Sequence, residues 1–302
     1  MSNFKKICSL ILAIGLIMAF ATGCNKGEKG GSEPVETTVE KDATTAILVV
    51  SFGTSYNDSR DKTIGGIENA IAKAYPQYDV RRAFTSQIII DKLQERDNLS
   101  IDNVTEALDR AVADGVKNLI VQPTHLMNGY EYNGLKEELA KYEGQFDTIK
   151  LGAPLLTSDE DFDKVIAAIT DVTKDFDDGS TVIAFMGHGT EAESNGVYAK
   201  LNDKIHEKGF NNYVIGTVEA EPSIDDVVEF AQKGTYKTVV LEPLMVVAGD
   251  HANNDMAGDE EDSWKSILQN EGFEVTTLLR GLGELPAIQE IYVQHVADAI
   301  KG

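Results

Sequence analysis

The segment TVIAFMGHGT (181–190) decides the fold, because an uninterrupted apolar run ends at a histidine that lies between two glycines. Such a run predicts a β-strand that is covered on both faces, as in a parallel sheet. Glycine on each side of His188 allows a sharp turn after the strand and leaves the imidazole exposed. His188 is therefore a candidate ligand at the end of a strand.

Two later segments repeat this arrangement. YVIGTVE (213–219) ends in Glu219 after an apolar strand, and KTVVLEP (237–243) precedes the loop that carries His251. In an open parallel sheet the carboxyl ends of the strands share one edge, where ligands bind. We therefore expect His188, Glu219 and His251 to meet at that edge. Two imidazoles and one carboxylate form a divalent-metal site whose open positions can hold a substrate.

Each of these side chains also has an interpretation without a metal. His188 fits a turn histidine bonded to backbone, His251 fits a structural histidine, and Glu219 fits a helix-capping acid. A carboxylate directly after an apolar strand is nevertheless costly unless it is paired or bound to a metal. The loop of His251 is polar, and Asp250 or Asp255 is available there to orient the imidazole.

Strands and helical segments alternate from Ala46 onward, which predicts an α/β protein. We predict two similar units, 46–157 and 158–302, each a four-stranded parallel sheet flanked by helices. A last helix after the final strand is expected to pack back. The predicted strands are Ala46–Phe52, Asp79–Phe84, Asn118–Gln122, Thr148–Gly152, Thr181–Met186, Tyr213–Val218, Lys237–Glu242 and Phe273–Leu279.

The two units echo each other in sequence, which indicates a duplication. FGT (52–54) corresponds to HGT (188–190), and Glu131 corresponds to His251. The metal-type residues lie mainly in the second copy. A cleft between the copies is the expected ligand site.

Composition excludes some classes of function. The net charge is −23, and no cluster of Lys and Arg suggests a nucleic-acid-binding face. The dinucleotide fingerprint GxGxxG and the phosphate loop GxxxxGK[ST] are absent, so no nucleotide cofactor is expected. The sequence leaves open whether the chain forms a homo-oligomer.

The N-terminal segment has the pattern of an exported lipoprotein. Residues 1–23 read as a signal peptide, with two lysines before a short apolar run. Small residues precede Cys24, as in a bacterial lipobox, so we predict lipidation there and a membrane anchor outside the cytoplasm. A plain signal peptide or an uncleaved anchor is the alternative. Residues 24–45 are polar and glycine-rich and predict a flexible tether.

The chain resembles the class II chelatases, and specifically the anaerobic sirohydrochlorin cobaltochelatase family. The resemblance runs through Ala46–Gly302, and the long segment around His251 is its most specific part. The matching segments are LVVSFGTSYNDSR (48–60), RAFTS (82–86), MGHGTE (186–191), GTVEAEPS (216–223), PLMVVAGDHANNDMAGDEEDSWK (243–265) and GLGELPAI (281–288).

The resemblance implies a fold, an activity and a site. It implies two chelatase-like, Rossmann-like units and the insertion of Co²⁺ into sirohydrochlorin, a tetrapyrrole, with loss of two protons. His188 becomes the expected proton acceptor and a metal ligand, with Glu219 and His251 as the other ligands. Fe²⁺ and Ni²⁺ suit the same ligands. The substrate-binding residues are expected to be Phe52, Thr54, Ser55, Arg60, Ser86 and His125, in part because the loop at 51–55 suits an anion.

Two other functions remain open at this point. An exported protein that carries metal, haem or another tetrapyrrole without turnover is one alternative, because export separates the chain from a cytoplasmic pathway. A metal-dependent hydrolase with the same two imidazoles and carboxylate is the other.

Overall fold

The computed structural model describes residues 40–302, which belong to one compact unit. The predicted signal peptide (1–23), Cys24 and most of the tether (24–45) lie outside the described residues. The strands are β1 (Thr45–Ser51), β2 (Asp79–Phe84), β3 (Asn118–Pro123), β4 (Thr148–Leu151), β5 (Thr181–Gly187), β6 (Tyr213–Thr217), β7 (Thr238–Pro243) and β8 (Glu274–Thr277). The helices are α1 (Asn57–Lys62), α2 (Ile64–Ala74), α3 (Gln87–Asp97), α4 (Val104–Ala113), α5 (Tyr130–Ala140), α6 (Asp159–Thr173), α7 (Gly196–Glu207), α8 (Ile224–Lys233), α9 (Trp264–Asn270) and α10 (Pro286–Lys301).

The eight strands form two parallel sheets of four strands with the same strand order. The first sheet runs β2-β1-β3-β4 and the second runs β6-β5-β7-β8. Every residue of the inner strands β1 and β5 is buried, which is why each is a continuous apolar run. The predicted fold class is confirmed.

The common strand order gives each residue at the second edge a counterpart at the first. Ser51 pairs with Phe84 as Gly187 pairs with Thr217, so the residues that follow these strands correspond in pairs. The counterparts of His188, Glu219 and His251 in the first half are Phe52, Ser86 and Glu131. The first sheet therefore presents an aromatic ring, a hydroxyl and a carboxylate where the second presents the metal-type set.

Side-chain caps mark the starts of helices α6 and α8. Ser158 and Asp161 bond each other's backbone N–H at the start of α6, which satisfies two of the free N–H groups of that first turn. At the start of α8 the backbone N–H of Ser223 donates to the carboxylate of Asp226 over 2.8 Å.

The two sheets share one hydrophobic core. Its largest cluster joins Ile47 and Val49 of the first sheet to Ile183 and Phe185 of the second. The last helix, α10, packs against α6 and returns to the first half, where it packs against α2 and β3. Within residues 40–302, no helix combines the length and the apolar character that a membrane crossing needs.

Buried hydrogen bonds of His295 connect α10 to α6. His295 Nε2 lies 3.0 Å from Asp161 Oδ1, and His295 Nδ1 lies 3.0 Å from the carbonyl oxygen of Ala153. Burial raises the pKa of Asp161, but hydrogen bonds from Ser158 and His295 outweigh it and hold that pKa below its usual value.

Candidate metal centre

His188, Glu219 and His251 converge at the carboxyl edge of the second sheet. Each offers one ligand atom, and these atoms all lie within 4.8 Å of one another. His188 directly follows β5, Glu219 lies two residues after β6, and His251 lies in the loop after β7. Parallel strands in the order β6-β5-β7 end side by side, which is why residues far apart in sequence meet here.

The ring of His188 is oriented by the loop that carries it. Its Nδ1 lies 2.9 Å from the carbonyl oxygen of Gly189 and 3.5 Å from Glu219 Oε2. Both oxygens are acceptors, so Nδ1 carries the hydrogen and the lone pair of Nε2 is free to bind a metal or a proton. The backbone N–H of Glu219 donates to the carbonyl of His188 over 2.9 Å and joins the two loops.

Glycine is required on both sides of His188. Gly189 has φ +85°, and a Cβ there would lie 2.8 Å from the backbone nitrogen of Ala220. A Cβ on Gly187 would lie 2.2 Å from the ring of Tyr198. The two glycines therefore let the turn lie directly on the Tyr198 ring and on the neighbouring loop.

Tyr198 packs against this turn and bonds its backbone. Its buried hydroxyl accepts a hydrogen bond from the backbone N–H of Gly189 over 3.3 Å. Burial raises the pKa of Tyr198 to about 12, so the phenol stays neutral at physiological pH.

The ring of His251 is oriented by a carboxylate. Its Nδ1 lies 2.6 Å from Asp255 Oδ2, four residues further along a short turn of π-helix (Ala252–Met256). The Asp255 carboxylate accepts from Nδ1–H and leaves Nε2 free. The rings of His188 and His251 lie with centroids 4.6 Å apart and planes at 86°.

The three side chains are open to ligands. The exposed fractions of their side chains are 48% for His188, 54% for Glu219 and 32% for His251. The surroundings are acidic, since Asp250 and Asp255 belong to the same loop as His251. A divalent cation gains from this negative field, and the exposure leaves room for a second ligand beside it.

Of the predicted substrate-binding residues, Phe52 and Ser86 are accessible. Phe52 is 50% exposed and directly follows β1, and Ser86 lies before α3 and is half-buried. They are the first-half counterparts of His188 and Glu219. Their positions at the open edge are compatible with contact to a ligand that spans the two sheets.

Three of the predicted substrate-binding residues are buried in this structure: Thr54, Ser55 and Arg60. Thr54 Oγ1 accepts from the backbone N–H of Tyr56, and the Arg60 guanidinium bonds Asn57 and Asp61. The bonds of Thr54 and Arg60 stay within the segment that follows β1. A role of the three residues in substrate binding stays a prediction.

His125 is likewise turned inward. Both ring nitrogens are buried and have no hydrogen-bond partner, so in this structure neither is presented to a ligand in the cleft. Burial lowers the pKa of His125 to about 4, so the ring is neutral at physiological pH. Its backbone carbonyl accepts from the N–H of Leu155, which fixes this part of the loop.

A cavity of about 530 Å³ opens at the carboxyl edge of the first sheet. Its wall includes Phe52 and Tyr130, two exposed aromatic side chains, together with Glu131, the counterpart of His251. Tyr130 is not among the residues predicted from the sequence. The repeat could have revealed it, because Tyr130 occupies the place of Asp250 in the second loop.

Comparison with solved structures identifies the fold. SirB from Bacillus subtilis, solved with Fe³⁺, superposes with a TM-score of 0.59 at 14% identity, covering 85% of this chain and 95% of that one. CbiX, described as the terminal enzyme of sirohaem biosynthesis in denitrifying bacteria, gives a TM-score of 0.54 at 16% identity, covering 84% and 99%. The fold is that of the chelatases.

Sequence comparison narrows this class to one family. The model of the cobalt chelatase (CbiK) family matches residues 45–301, so the chain belongs to that family. The sirohydrochlorin cobaltochelatase of Salmonella typhimurium is 39% identical over 84% of this chain and 96% of its own length. The sirohydrochlorin cobaltochelatase CbiKC of Nitratidesulfovibrio vulgaris is 30% identical over 84% and 90%.

Proposed function

We propose that this chain inserts Co²⁺ into sirohydrochlorin. The observation that carries the proposal is the convergence of His188, Glu219 and His251 within 4.8 Å at an open sheet edge, in a member of the cobalt chelatase family. Fe²⁺ and Ni²⁺ are proposed as competing ions, since imidazole and carboxylate accept them too.

The reaction replaces two pyrrole protons by one divalent cation and involves no change of oxidation state. Glu219 and His251 hold the ion, and its remaining positions are open to the ring nitrogens. The free Nε2 of His188 binds the ion or accepts a pyrrole proton as the metal enters. Co²⁺ is a substrate here, so it leaves with the product.

The macrocycle lies between the metal centre and the first-half cavity. Two contacts join the halves next to this space. Tyr56 of the first half donates to Asp250 of the second over 3.3 Å, and Ser194 Oγ of the second half lies 3.5 Å from where a Cβ on Gly129 would be. The exposed rings of Phe52 and Tyr130 provide an apolar surface for a flat ligand. The metal is therefore presented to one side of the ring system and aromatic contacts to the other.

Substitution of Phe52 by alanine separates ring binding from metal binding. We expect sirohydrochlorin to bind about 5- to 10-fold more weakly, since one aromatic contact contributes about 1 kcal/mol. Co²⁺ affinity should stay at the wild-type value because Phe52 offers no ligand atom. Spectral titration of the full-length protein with each ligand gives both constants; a fall in Co²⁺ affinity equal to that for the tetrapyrrole contradicts this division of the site.

The same titrations, followed to the metallated spectrum, test the function. Wild-type protein supplied with Co²⁺ and sirohydrochlorin should metallate many molecules of sirohydrochlorin per molecule of protein. Tight binding of a finished cobalt tetrapyrrole without insertion would replace the proposal by a carrier function.

We also propose that the chain is exported and anchored through lipid on Cys24. The support is the sequence at 1–24, the polar tether behind it, and a family match that begins only at residue 45. When the full-length chain is expressed in a bacterium, wild type should fractionate with membranes, and Cys24→Ser should remain an uncleaved precursor without lipid. Mass spectrometry of the N-terminus checks this; an unmodified Cys24 in mature wild type contradicts the proposal.

Association into a homo-oligomer is a separate proposal that sedimentation of the same sample tests.

A further inference from the structure

We propose that His251 is positioned by the first half of the molecule, through the turn at 281–284 and through helix α1. The inference rests on the proposed function, in which His251 is a metal ligand. Backbone bonds within the second sheet reach His188 and Glu219 directly: Glu219 N–H donates to the His188 carbonyl, and Val218 N–H donates to the Gly187 carbonyl. The corresponding bond after β7, from Leu244 N–H to the Met186 carbonyl, lies seven residues before His251. The position of His251 depends on contacts outside that sheet.

The turn at 281–284 forms a backbone ladder with the segment that leads to His251. The N–H of Leu282 donates to the carbonyl of Met245 over 2.8 Å, and the N–H of Gly283 donates to that of Val246 over 3.0 Å. Leu282 is buried in the core shared by both sheets. The ladder therefore connects the loop of His251 to the hydrophobic core that both sheets share.

Gly281 and Gly283 leave no room for a side chain. A Cβ on Gly281 would lie 2.6 Å from the Val246 carbonyl oxygen and 2.8 Å from the backbone nitrogen of Ala248. A Cβ on Gly283 would lie 2.9 Å from Thr63 Cβ, in the first half. Gly281 has φ −79°, which any residue adopts, so close packing alone requires glycine there.

The first copy of the duplication shows that the ladder itself does not require glycine. There Leu155 N–H donates to the His125 carbonyl and Leu156 N–H to that of Leu126, in the same pattern. Leu156 carries a full side chain at the place of Gly283, and Pro154 stands at the place of Gly281. The glycines belong to the second copy, where the turn is pressed between the metal-binding loop and α2.

The turn is wedged against α2 by a second set of close contacts. Gln289 Nε2 donates to the Gly283 carbonyl over 2.8 Å, and a Cβ on Gly66 of α2 would lie 2.6 Å from the same Nε2. α2 and α10 therefore enclose the turn. A displacement of α2 would be passed to residues 245–248 by steric contact.

The opposite side of the loop is held by the segment after β1. The N–H of Ala248 donates to Ser59 Oγ over 3.0 Å, and Tyr56 donates to Asp250. Residues of the first half thus contact the loop at Ala248, three residues before His251, and at Asp250, the residue next to it. Ser59, Gly281 and Gly283 are therefore positioning residues for His251, the third proposed metal ligand.

The test measures Co²⁺ binding to the full-length protein from its visible absorption spectrum. For Gly281→Ala we expect affinity to fall about tenfold, the lower end of the effect of outer contacts on a metal ligand, with a changed spectrum. KM for Co²⁺ should rise while KM for sirohydrochlorin stays constant. The matched control is Gly196→Ala, whose new methyl meets nothing within 4 Å and should leave all four readouts unchanged.

A second variant keeps the test decisive if Gly281→Ala does not fold. Ser59→Ala adds no volume, removes only the bond to Ala248 N–H, and should shift affinity and spectrum in the same direction. If the folded variants keep the wild-type Co²⁺ affinity and spectrum while His251→Ala binds Co²⁺ weakly, the inference about positioning is overturned and the proposed function is not. Equal Co²⁺ binding by wild type and His251→Ala instead overturns the proposed function.

Discussion

Replacing His188 by alanine should lower the rate of Co²⁺ insertion by about 10²- to 10⁴-fold at saturating metal. A positioned proton acceptor contributes a factor of this size. The free Nε2 of His188 faces the ligand side, because Nδ1 is held by the carbonyl of Gly189. Excess Co²⁺ compensates for a weakened site but cannot replace the group that takes up the pyrrole proton.

The measurement is kcat from the absorbance change of the tetrapyrrole across a range of Co²⁺ concentrations. His206→Ala is the matched control, because His206 bonds the carbonyl of Tyr213 and stacks on Phe230 on another part of the second half. We expect that variant to insert metal at the wild-type rate. Insertion by His188→Ala at the same rate as this control would remove His188 from the reaction.

The fold follows from sequence because buried parallel strands need continuous apolar runs. All eight predicted strands are present, and each boundary lies within two residues of the prediction. The meeting of His188, Glu219 and His251 follows from topology, since strand order alone fixes which loops are neighbours. Prediction of this part of the site needed no side-chain conformations.

The first-half residues could not be placed in the same way. Thr54, Ser55 and Arg60 have the residue types of a ligand-binding loop, but the loop folds over its own polar groups and buries them. His125 stands at a strand end as His188 does, yet both of its ring nitrogens are buried. Whether a strand-end side chain faces the cleft depends on the packing of the next connection, which a strand pattern does not encode.

The hydrogen-bond partner of the His251 ring could not be predicted from the sequence for the same reason. The sequence offered both Asp250 and Asp255, and the choice between them depends on the local turn. The π-helical turn that follows His251 brings Asp255, four residues on, to 2.6 Å from Nδ1, whereas Asp250 bonds Tyr56 and Asn254. One of these carboxylates thus orients a proposed ligand and the other connects the two halves.

Asp255→Asn should weaken Co²⁺ affinity about 10- to 100-fold without removing any ligand. The carboxylate can only accept, so it holds the hydrogen of His251 on Nδ1 and leaves Nε2 free for metal. An amide can turn its NH₂ group toward Nδ1, which moves the hydrogen to Nε2 and blocks that ligand. The affinity loss should appear in a Co²⁺ titration, and the visible spectrum should change because one nitrogen is withdrawn.

Asp250→Asn separates this effect from simple charge removal. It deletes one negative charge from the same loop, keeps an oxygen that can accept the bond from Tyr56, and leaves the bond between His251 and Asp255 in place. Both substitutions reduce the attraction for a cation, but at high ionic strength that contribution is screened for exposed groups. The loss in Asp255→Asn should therefore persist in salt while the smaller loss in Asp250→Asn fades; equal losses that fade together would mean that Asp255 acts only through its charge.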